Sequence, residues 1–236
     1  MNAVLLRARL SACLEKKRLR DQQKELLRRL LTPRWPRTCS NRSFSLEGKR
    51  VRASILFCDI RDFTPMAEAA APEETIELLN NYYALMFDAI SGQGGVVNAM
   101  IGDGLMAVFG AHATGGARGA RGARGAGDDR ARGRLQRRAR RAGKPPVRIG
   151  IGIASGEVVA GYTGTNARAT YTCIGEVVNL AARIEQHTKV AQRPILIDMG
   201  THAALPPDLV TDSIGAVEYK GFSAPNETFA VRVGGH

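Results

Sequence analysis

Two short apolar runs, residues 96–100 and 105–109, lie on either side of a turn that contains two glycines. Each run has the length of a β-strand, and the glycines of Ile101-Gly-Asp-Gly104 permit a tight reversal of the chain. The pattern therefore predicts a β-hairpin. The carboxylate of Asp103 is expected at its tip.

A second carboxylate, Asp59, follows another apolar run, residues 51–57. This run predicts a buried strand that ends near Asp59. Two carboxylates that converge on one point provide oxygen ligands for a hard divalent cation. Asp59 and Asp103 therefore predict metal-assisted chemistry on a phosphate.

A helix is predicted to begin at Pro72, because proline suits the first helical position and the acidic Glu73 and Glu74 suit the positive end of the helix dipole. An apolar stripe at helical spacing follows, and Gly92, Gly94 and Gly95 end it. The stripe consists of Ile76, Leu79, Tyr83, Met86 and Ile90.

The second half of the chain repeats the alternation of strand and helix. Strands are predicted at 147–154, continuing at 157–160, and at 170–174, 195–197 and 229–233, with a helix at 177–186. The order of elements favours an α+β sandwich, in which helices cover one face of a mainly antiparallel sheet.

The positive charge of the chain is concentrated in two segments. Residues 1–50 contain 14 Lys and Arg against 4 Asp and Glu, and residues 111–146 contain 11 against 2. The rest of the chain has 9 basic and 16 acidic residues, although the whole carries a net charge of +12. The basic segments therefore flank or interrupt an acidic body, which we expect to set the function.

The four cysteines, at positions 13, 39, 58 and 173, form no CxxC pair and have no histidine at zinc-ligand spacing. We expect reduced thiols in a cytoplasmic protein, or in the cytosolic part of a longer sensor protein. No apolar run reaches 18 residues, so neither a membrane span nor a signal peptide is indicated.

Residues 14–31 are rich in good helix formers, and Pro33 and Pro36 stop the pattern. Two interpretations are open for this helix. It is either a solvated helix with one apolar edge or the end of a signalling helix that joins two catalytic domains.

Residues 112–146 contain Gly-Ala-Arg three times and ten arginines between Arg118 and Arg141. Three interpretations are open: a disordered loop without a role, an arm that binds nucleic acid or an anionic membrane, and a local reading-frame error. Nucleic-acid binding is the least favoured function, because no aromatic residue lies between 117 and 144 to stack on bases.

The motifs together resemble the class III nucleotidyl cyclases, which form cyclic AMP or cyclic GMP from a nucleoside triphosphate. The resemblance covers about 51–110 and 147–233 and implies a ferredoxin-like cyclase sandwich. Residues 1–50 would then be a basic helical or linker segment, and 51–233 a catalytic domain interrupted by 112–146. The matching motifs are Phe57-Cys-Asp-Ile-Arg-Asp-Phe-Thr64, Ile101-Gly-Asp-Gly-Leu-Met-Ala-Val-Phe-Gly110, Gly150-Ile-Gly-Ile-Ala-Ser-Gly-Glu157, Tyr171-Thr-Cys-Ile-Gly-Glu-Val-Val-Asn-Leu-Ala-Ala-Arg183 and Lys220-Gly-Phe.

The resemblance implies that Asp59 and Asp103 bind two Mg²⁺ or Mn²⁺ ions, with the carbonyl of Ile60 as a further ligand. The backbone from Ile60 to Thr64, which includes Phe63, would cradle the triphosphate. It also implies that Asn179 orients the ribose and that Arg183 meets the α-phosphate. Family members place these two residues opposite the aspartates of a second subunit, which predicts a homodimer or a cyclase heterodimer.

The base-recognition positions depart from the family. Ala99 stands where adenine-selecting members have lysine and guanine-selecting members have glutamate, and Thr172 stands at the partner position. Thr172 is more typical of the adenylate branch, which favours ATP, while GTP stays possible. Lys220 resembles a lysine near the phosphates in some members. The alternative function is a catalytically impaired cyclase-like domain that binds nucleotide or a regulatory partner.

Overall fold

The computed structural model describes residues 48–110, 147–165, 168–207 and 209–232. Apolar runs bounded by glycine and proline become strands, and the longer segments with helical spacing become helices. The elements in chain order are β1 (Lys49–Ile60), α1 (Phe63–Ala69), α2 (Pro72–Gly92), β2 (Val96–Ile101), β3 (Gly104–Phe109), β4 (Ile149–Thr165), β5 (Arg168–Ile174), α3 (Glu176–Val190), β6 (Ile195–Asp198), α4 (Met199–His202), β7 (Thr211–Val217) and β8 (Asn226–Val231).

Within these residues, eight strands form one sheet in the order β2-β3-β1-β4-β6-β8-β7, and β5 pairs with β4. The described strand pairs are antiparallel except for β4 and β6, which run parallel. The α+β class with a mainly antiparallel sheet is thus confirmed.

Alternate residues of β1 face two separate apolar clusters, as the pleat of a strand requires. Leu56, Cys58 and Ile60 pack in a cluster with Met86 and Ile90 of α2. Ile55 packs in the other cluster with Ala181 and Ile184 of α3. The two helices therefore cover opposite faces of the sheet, and the prediction that helices lie on one face is wrong.

Two glycines of β4 explain why α3 packs on the face of the sheet opposite α2. A Cβ at Gly152 would clash with the backbone of Glu185, so the axis of α3 lies very close to the strand. Gly150 likewise leaves room for the side chains of Arg61 and Thr188. The chain alternates glycine with isoleucine at 149–153, so one face of β4 accepts a helix backbone and the other is buried among apolar side chains.

The predicted stripe of α2 is only partly correct. Met86 and Ile90 are buried, but Ile76 is 60% exposed and Tyr82 is fully buried in place of its neighbour Tyr83. Residues six positions apart are separated by about 240° around a helix. Ile76 therefore faces solvent when Tyr82 faces the sheet.

The element boundaries show further differences from the sequence predictions. The strand predicted at 147–154 continues through 157–160 as expected, but β4 begins at Ile149 and runs on to Thr165, and α3 extends to Val190. The elements β7, α1 and α4 were not predicted, because their short sequences mix polar and apolar residues without a clear period. The helix predicted at 14–31 and the basic segment 112–146 lie outside the described residues. Among the described helices, none combines the length and the apolar character needed to cross a membrane.

Candidate active site

The structure brings Asp59 and Asp103 together. Asp59 is the penultimate residue of β1, and Asp103 lies in the turn between β2 and β3. Because β3 pairs with β1 in a register that places Leu105 opposite Cys58, the hairpin tip reaches the end of β1. The carboxyl group of Asp103 lies close enough to that of Asp59 to raise its pKa.

This proximity alters the acidity of Asp59. Partial burial first, and then the proximity and negative charge of the Asp103 carboxyl group, together raise the pKa of Asp59 to about 6. Two carboxylates so close repel each other unless a proton or a cation lies between them. The site therefore fits a positive ion.

The donor set at this point suits a hard divalent cation. The described residues contain no group of three or more His, Cys, Asp or Glu side chains that could hold a metal. Two carboxylates are available, and Mg²⁺ commonly uses one or two carboxylates together with water and substrate phosphate oxygens. The side chain of Ile60 is buried. The backbone of Ile60 has a small opposing effect, which lowers the pKa of the Asp59 carboxyl group.

The loop after β1 holds two of the predicted substrate-binding residues. Asp62 has a φ of 56°, in the left-handed region, and α1 begins directly after it. The side chain of Phe63 packs against the apolar cluster that contains Met86 and Ile90 of α2, whereas Thr64 is exposed. Asp62 also pairs with Arg148, with 2.7 Å between Oδ2 and Nη2. This segment is therefore held at Asp62 and at Phe63.

Arg61, in the same loop, points away from solvent. Its Nη2 donates a hydrogen bond to the hydroxyl of Thr188 near the end of α3. Its Nη1 is buried and has no hydrogen-bond partner among the described residues. Burial lowers the pKa of the guanidinium, and the charge of Glu185 opposes that shift.

Two charged residues of α3 complete the surroundings of Asp59. Lys189 places its Nζ 3.9 Å from Asp59 Oδ2. Glu185, one helical turn earlier, is only 7% exposed, and its Oε1 has no hydrogen-bond partner in the described part of the chain. Burial and then the charge of Asp59 raise the pKa of Glu185, those of Lys189 and Arg61 oppose the rise, and the resulting pKa is about 7.

The sequence did not single out Arg61, Glu185 or Lys189. The sequence does indicate that Glu185 and Lys189 share one face of α3, because they are four positions apart. Their meeting with Asp59, however, depends on how α3 lies across β4. That packing follows from the glycines at 150 and 152.

Asn179 and Arg183 lie one turn apart on α3, as predicted. Asn179 is exposed, and the described contact of Arg183 is a hydrogen bond of 3.1 Å from Nη1 to Gln186 Oε1. Arg183 precedes Lys189 by six residues, which corresponds to about 9 Å along the helix. No described hydrogen bond or ion pair joins Asn179 or Arg183 to the aspartates of the same chain.

The remaining predicted positions lie on three different elements. Ala99, in β2, is half-buried opposite Met106 of β3. Thr172, in β5, is half-buried opposite Gly161 of β4. Lys220 follows β7 and is exposed. The structure gives no contact that joins these three residues to the aspartates.

Comparison with known proteins identifies the family to which this fold belongs. Residues 48–233 match the model of the adenylate and guanylate cyclase catalytic domain. The chain is 40% identical over 146 residues to an adenylate cyclase of Anabaena cylindrica, an alignment that covers 62% of this chain and 29% of that protein. It is 32% identical over 157 residues to the terminal-differentiation specific adenylate cyclase of Dictyostelium discoideum, covering 64% of this chain and 7% of that protein. The chain thus spans less than a third of the length of these two relatives.

Solved structures agree with the family match. The adenylyl cyclase CyaB from P. aeruginosa superposes with a TM-score of 0.72 at 32% identity, covering 80% of this chain and 97% of that one. The guanylyl cyclase Cya2 gives a TM-score of 0.68, also at 32% identity, covering 78% and 93%. The chain belongs to the family of adenylate and guanylate cyclase catalytic domains.

Proposed function

We propose that this chain converts ATP into 3′,5′-cyclic AMP and pyrophosphate, with two Mg²⁺ or Mn²⁺ ions, at a site shared by two copies of the chain. The observation that carries the proposal is the proximity of the Asp59 and Asp103 carboxyl groups at the end of β1. Residues 51–233 would form the catalytic domain, residues 1–50 a basic helical or linker segment, and the product would serve intracellular signal transduction.

In the proposed reaction the ribose 3′-oxygen bonds to the α-phosphorus while the bond between that phosphorus and the pyrophosphate oxygen breaks. The 3′-hydroxyl loses its proton, and negative charge grows on the pyrophosphate. Bound divalent cations supply positive charge near both oxygens. Asp59 and Asp103, with the carbonyl of Ile60, are the groups that would hold these cations.

The other protein groups bind and orient the nucleotide in this proposal. The backbone from Ile60 to Thr64 presents amides to the triphosphate, with Phe63 fixed against the core. Asn179 orients the ribose. The guanidinium of Arg183 offers paired N–H donors to the α-phosphate, a geometry that stabilises the charge of a transition state.

The proposal of a shared site is supported by where α3 lies. Its last turn contacts Asp59 of its own chain through Lys189, while the described contact of Arg183 goes to Gln186. Arg183 is thus available to a second chain. A two-fold axis would then create two equivalent sites, each with the aspartates of one chain and Asn179 and Arg183 of the other.

ATP is proposed as the substrate because Thr172 resembles the adenylate branch and because two of the relatives above are named as adenylate cyclases. GTP is the second candidate, since the guanylyl cyclase Cya2 is as similar as CyaB. Ala99 has no polar group with which to distinguish the two purines.

The proposed activity is tested by measuring cyclic AMP formed by the purified protein with ATP and Mn²⁺. Asp59→Asn and Asp103→Asn should each reduce the rate by about a hundredfold or more, because each removes a charged ligand. Asp212→Asn is a matched control. Its carboxylate pairs with Arg232 on the exposed surface, where such pairs contribute little. Absence of product from the unchanged protein at high concentration would refute the activity.

A catalytically impaired, nucleotide-binding domain is the alternative, and the apolar Ala99 is the observation that favours it. Such a domain would be stabilised against heat by ATP or GTP with Mn²⁺ without forming a cyclic product. The same preparation distinguishes the two functions, since turnover and stabilisation are measured separately.

A further inference from the structure

The side chain of Lys189 extends from the last turn of α3 toward the aspartate pair. Its Nζ lies 3.9 Å from Asp59 Oδ2, with 54% of the lysine side chain and 30% of the aspartate side chain exposed. Among the described residues, the half-exposed ammonium group of Lys189 is therefore the positive charge that pairs with the Asp59 carboxylate. It lies where Asp59 would otherwise face only the negative charge of Asp103 and Glu185.

The position of Lys189 is fixed by its neighbours on the helix. The preceding residue, Thr188, accepts the hydrogen bond from Arg61, which follows Asp59 in the chain by two positions. The hydroxyl of Thr188 also donates to the carbonyl of Glu185. The last turn of α3 is thus held against the end of β1, which places the backbone of Lys189 beside Asp59.

The charges around the aspartates explain what the ammonium group does. Asp59, Asp103 and Glu185 contribute carboxyl groups, and Glu185 is buried with one oxygen unpartnered. Against these stand the guanidinium of Arg61, which is directed to Thr188, and the ammonium of Lys189. Of the two cations, only Lys189 reaches a metal-binding carboxylate.

We propose that Lys189 is a positioning residue that acts as the built-in counter-ion of Asp59 when no metal is bound, and that a divalent cation must displace its ammonium group from the carboxylate. The proposal rests on the metal site of the proposed function. Lys189 would keep the two carboxylates close together in the empty site, at the cost of weaker binding of the first metal ion.

A simpler role for Lys189 is interaction with the negative end of the α3 dipole. That role stabilises the helix but does not depend on whether a metal is bound at Asp59. The affinity for a metal ion therefore separates the two roles, whereas thermal stability alone does not.

The test is isothermal titration of Mn²⁺ into the full chain without nucleotide. Lys189→Met should bind Mn²⁺ about two- to fivefold more tightly than the unchanged protein, in line with the modest energy of partly exposed ion pairs. Lys189→Arg, which keeps the charge and the reach, should restore the unchanged affinity. Lys49→Met is the matched control: it removes the same charge at the other end of β1, about 33 Å away along an extended strand.

The outcomes separate this inference from the proposed function. Equal affinities of the unchanged protein, Lys189→Met and Lys49→Met would overturn the role of Lys189 and leave the metal site standing. Weaker binding by Lys189→Met would also overturn it. If neither the unchanged protein nor Lys189→Met binds Mn²⁺, both the metal site and the role of Lys189 are refuted.

Discussion

The guanidinium of Arg61 donates a hydrogen bond to the hydroxyl of Thr188, a residue 127 positions later in the chain. This contact joins the loop after β1 to the last turn of α3. The first carries the proposed phosphate cradle, and the second is part of the helix that carries Asn179 and Arg183. The phosphate cradle of one proposed site is thereby tied to the helix whose Asn179 and Arg183 would serve the site shared with the second chain.

The first prediction concerns Gly150, whose lack of a side chain makes room for this contact. A Cβ at this position would lie 2.6 Å from Thr188 Oγ1 and 2.7 Å from Arg61 Nη2. Gly150→Ala should therefore displace the guanidinium and lower the free energy of unfolding by about 1–3 kcal/mol, as overpacking does. Urea denaturation measures the change, and cyclase activity should fall with it.

Gly92→Ala is the control for that experiment. Gly92 ends α2, and a Cβ there meets nothing within 4 Å. Alanine favours a helix over glycine by up to about 1 kcal/mol, so this variant should be as stable as the unchanged protein or slightly more stable. Equal stability of the Gly150 and Gly92 variants would contradict the packing described for Arg61.

The second prediction concerns the pH dependence of stability in the absence of metal. The pKa of Glu185 is about 7 in the folded protein, against an ordinary value of 4.5. The folded state then binds the proton more tightly than the unfolded chain, so stability should fall as the pH rises from about 4.5 through 7. The raised pKa of Asp59, about 6, acts in the same direction.

The urea midpoint, measured in EDTA from pH 4.5 to 8, tests this prediction. Glu185→Gln should flatten the decline, whatever its effect on the absolute midpoint. Glu157→Gln provides the matched control, because it makes the same chemical change at an exposed position of β4. A Glu185→Gln profile as steep as that of the control would refute the assignment of this titration to Glu185.

The third prediction addresses the choice between purines. A lysine at position 99 would bring a donor to the acceptor nitrogen of adenine, and a glutamate would bring an acceptor to the donors of guanine. Ala99→Lys should raise the ratio of kcat/KM for ATP over GTP by about tenfold, and Ala99→Glu should lower it. Ala216→Lys, at an exposed position of β7, is the control for added charge. An unchanged ratio in both Ala99 variants would place base recognition elsewhere.

The parts of the fold that sequence reasoning anticipated are those with strong local signals. The glycine turn predicts the hairpin, and its pairing with β1 brings Asp103 to Asp59 because the apolar runs fix the strands. The second helical layer was not anticipated, since it depends on how closely α3 approaches Gly152. A pattern of glycine at alternate positions in one strand does not identify the helix that will cover it.

The same distinction applies to the candidate site. Asp59 and Asp103 stand at the ends of predicted strands, and they meet because β3 pairs with β1 in a register that brings the hairpin tip to the end of β1. Arg61, Glu185 and Lys189 converge only after α3 has packed on β4, and their charges give no local signal of this. The roles of Asn179, Arg183, Thr172, Ala99 and Lys220 stay predictions from the family resemblance.

The account depends most on the claim that each site combines the aspartates of one chain with Arg183 of another. Mixing two inactive variants tests it directly. Asp59→Asn and Arg183→Ala should each lose about a hundredfold or more of the activity alone. When equal amounts are mixed, half of the dimers are expected to contain one of each, and each such dimer holds one intact site. The mixture should then recover about a quarter of the activity of the unchanged protein. A mixture no more active than its two components, although the chains exchange, would contradict the shared site.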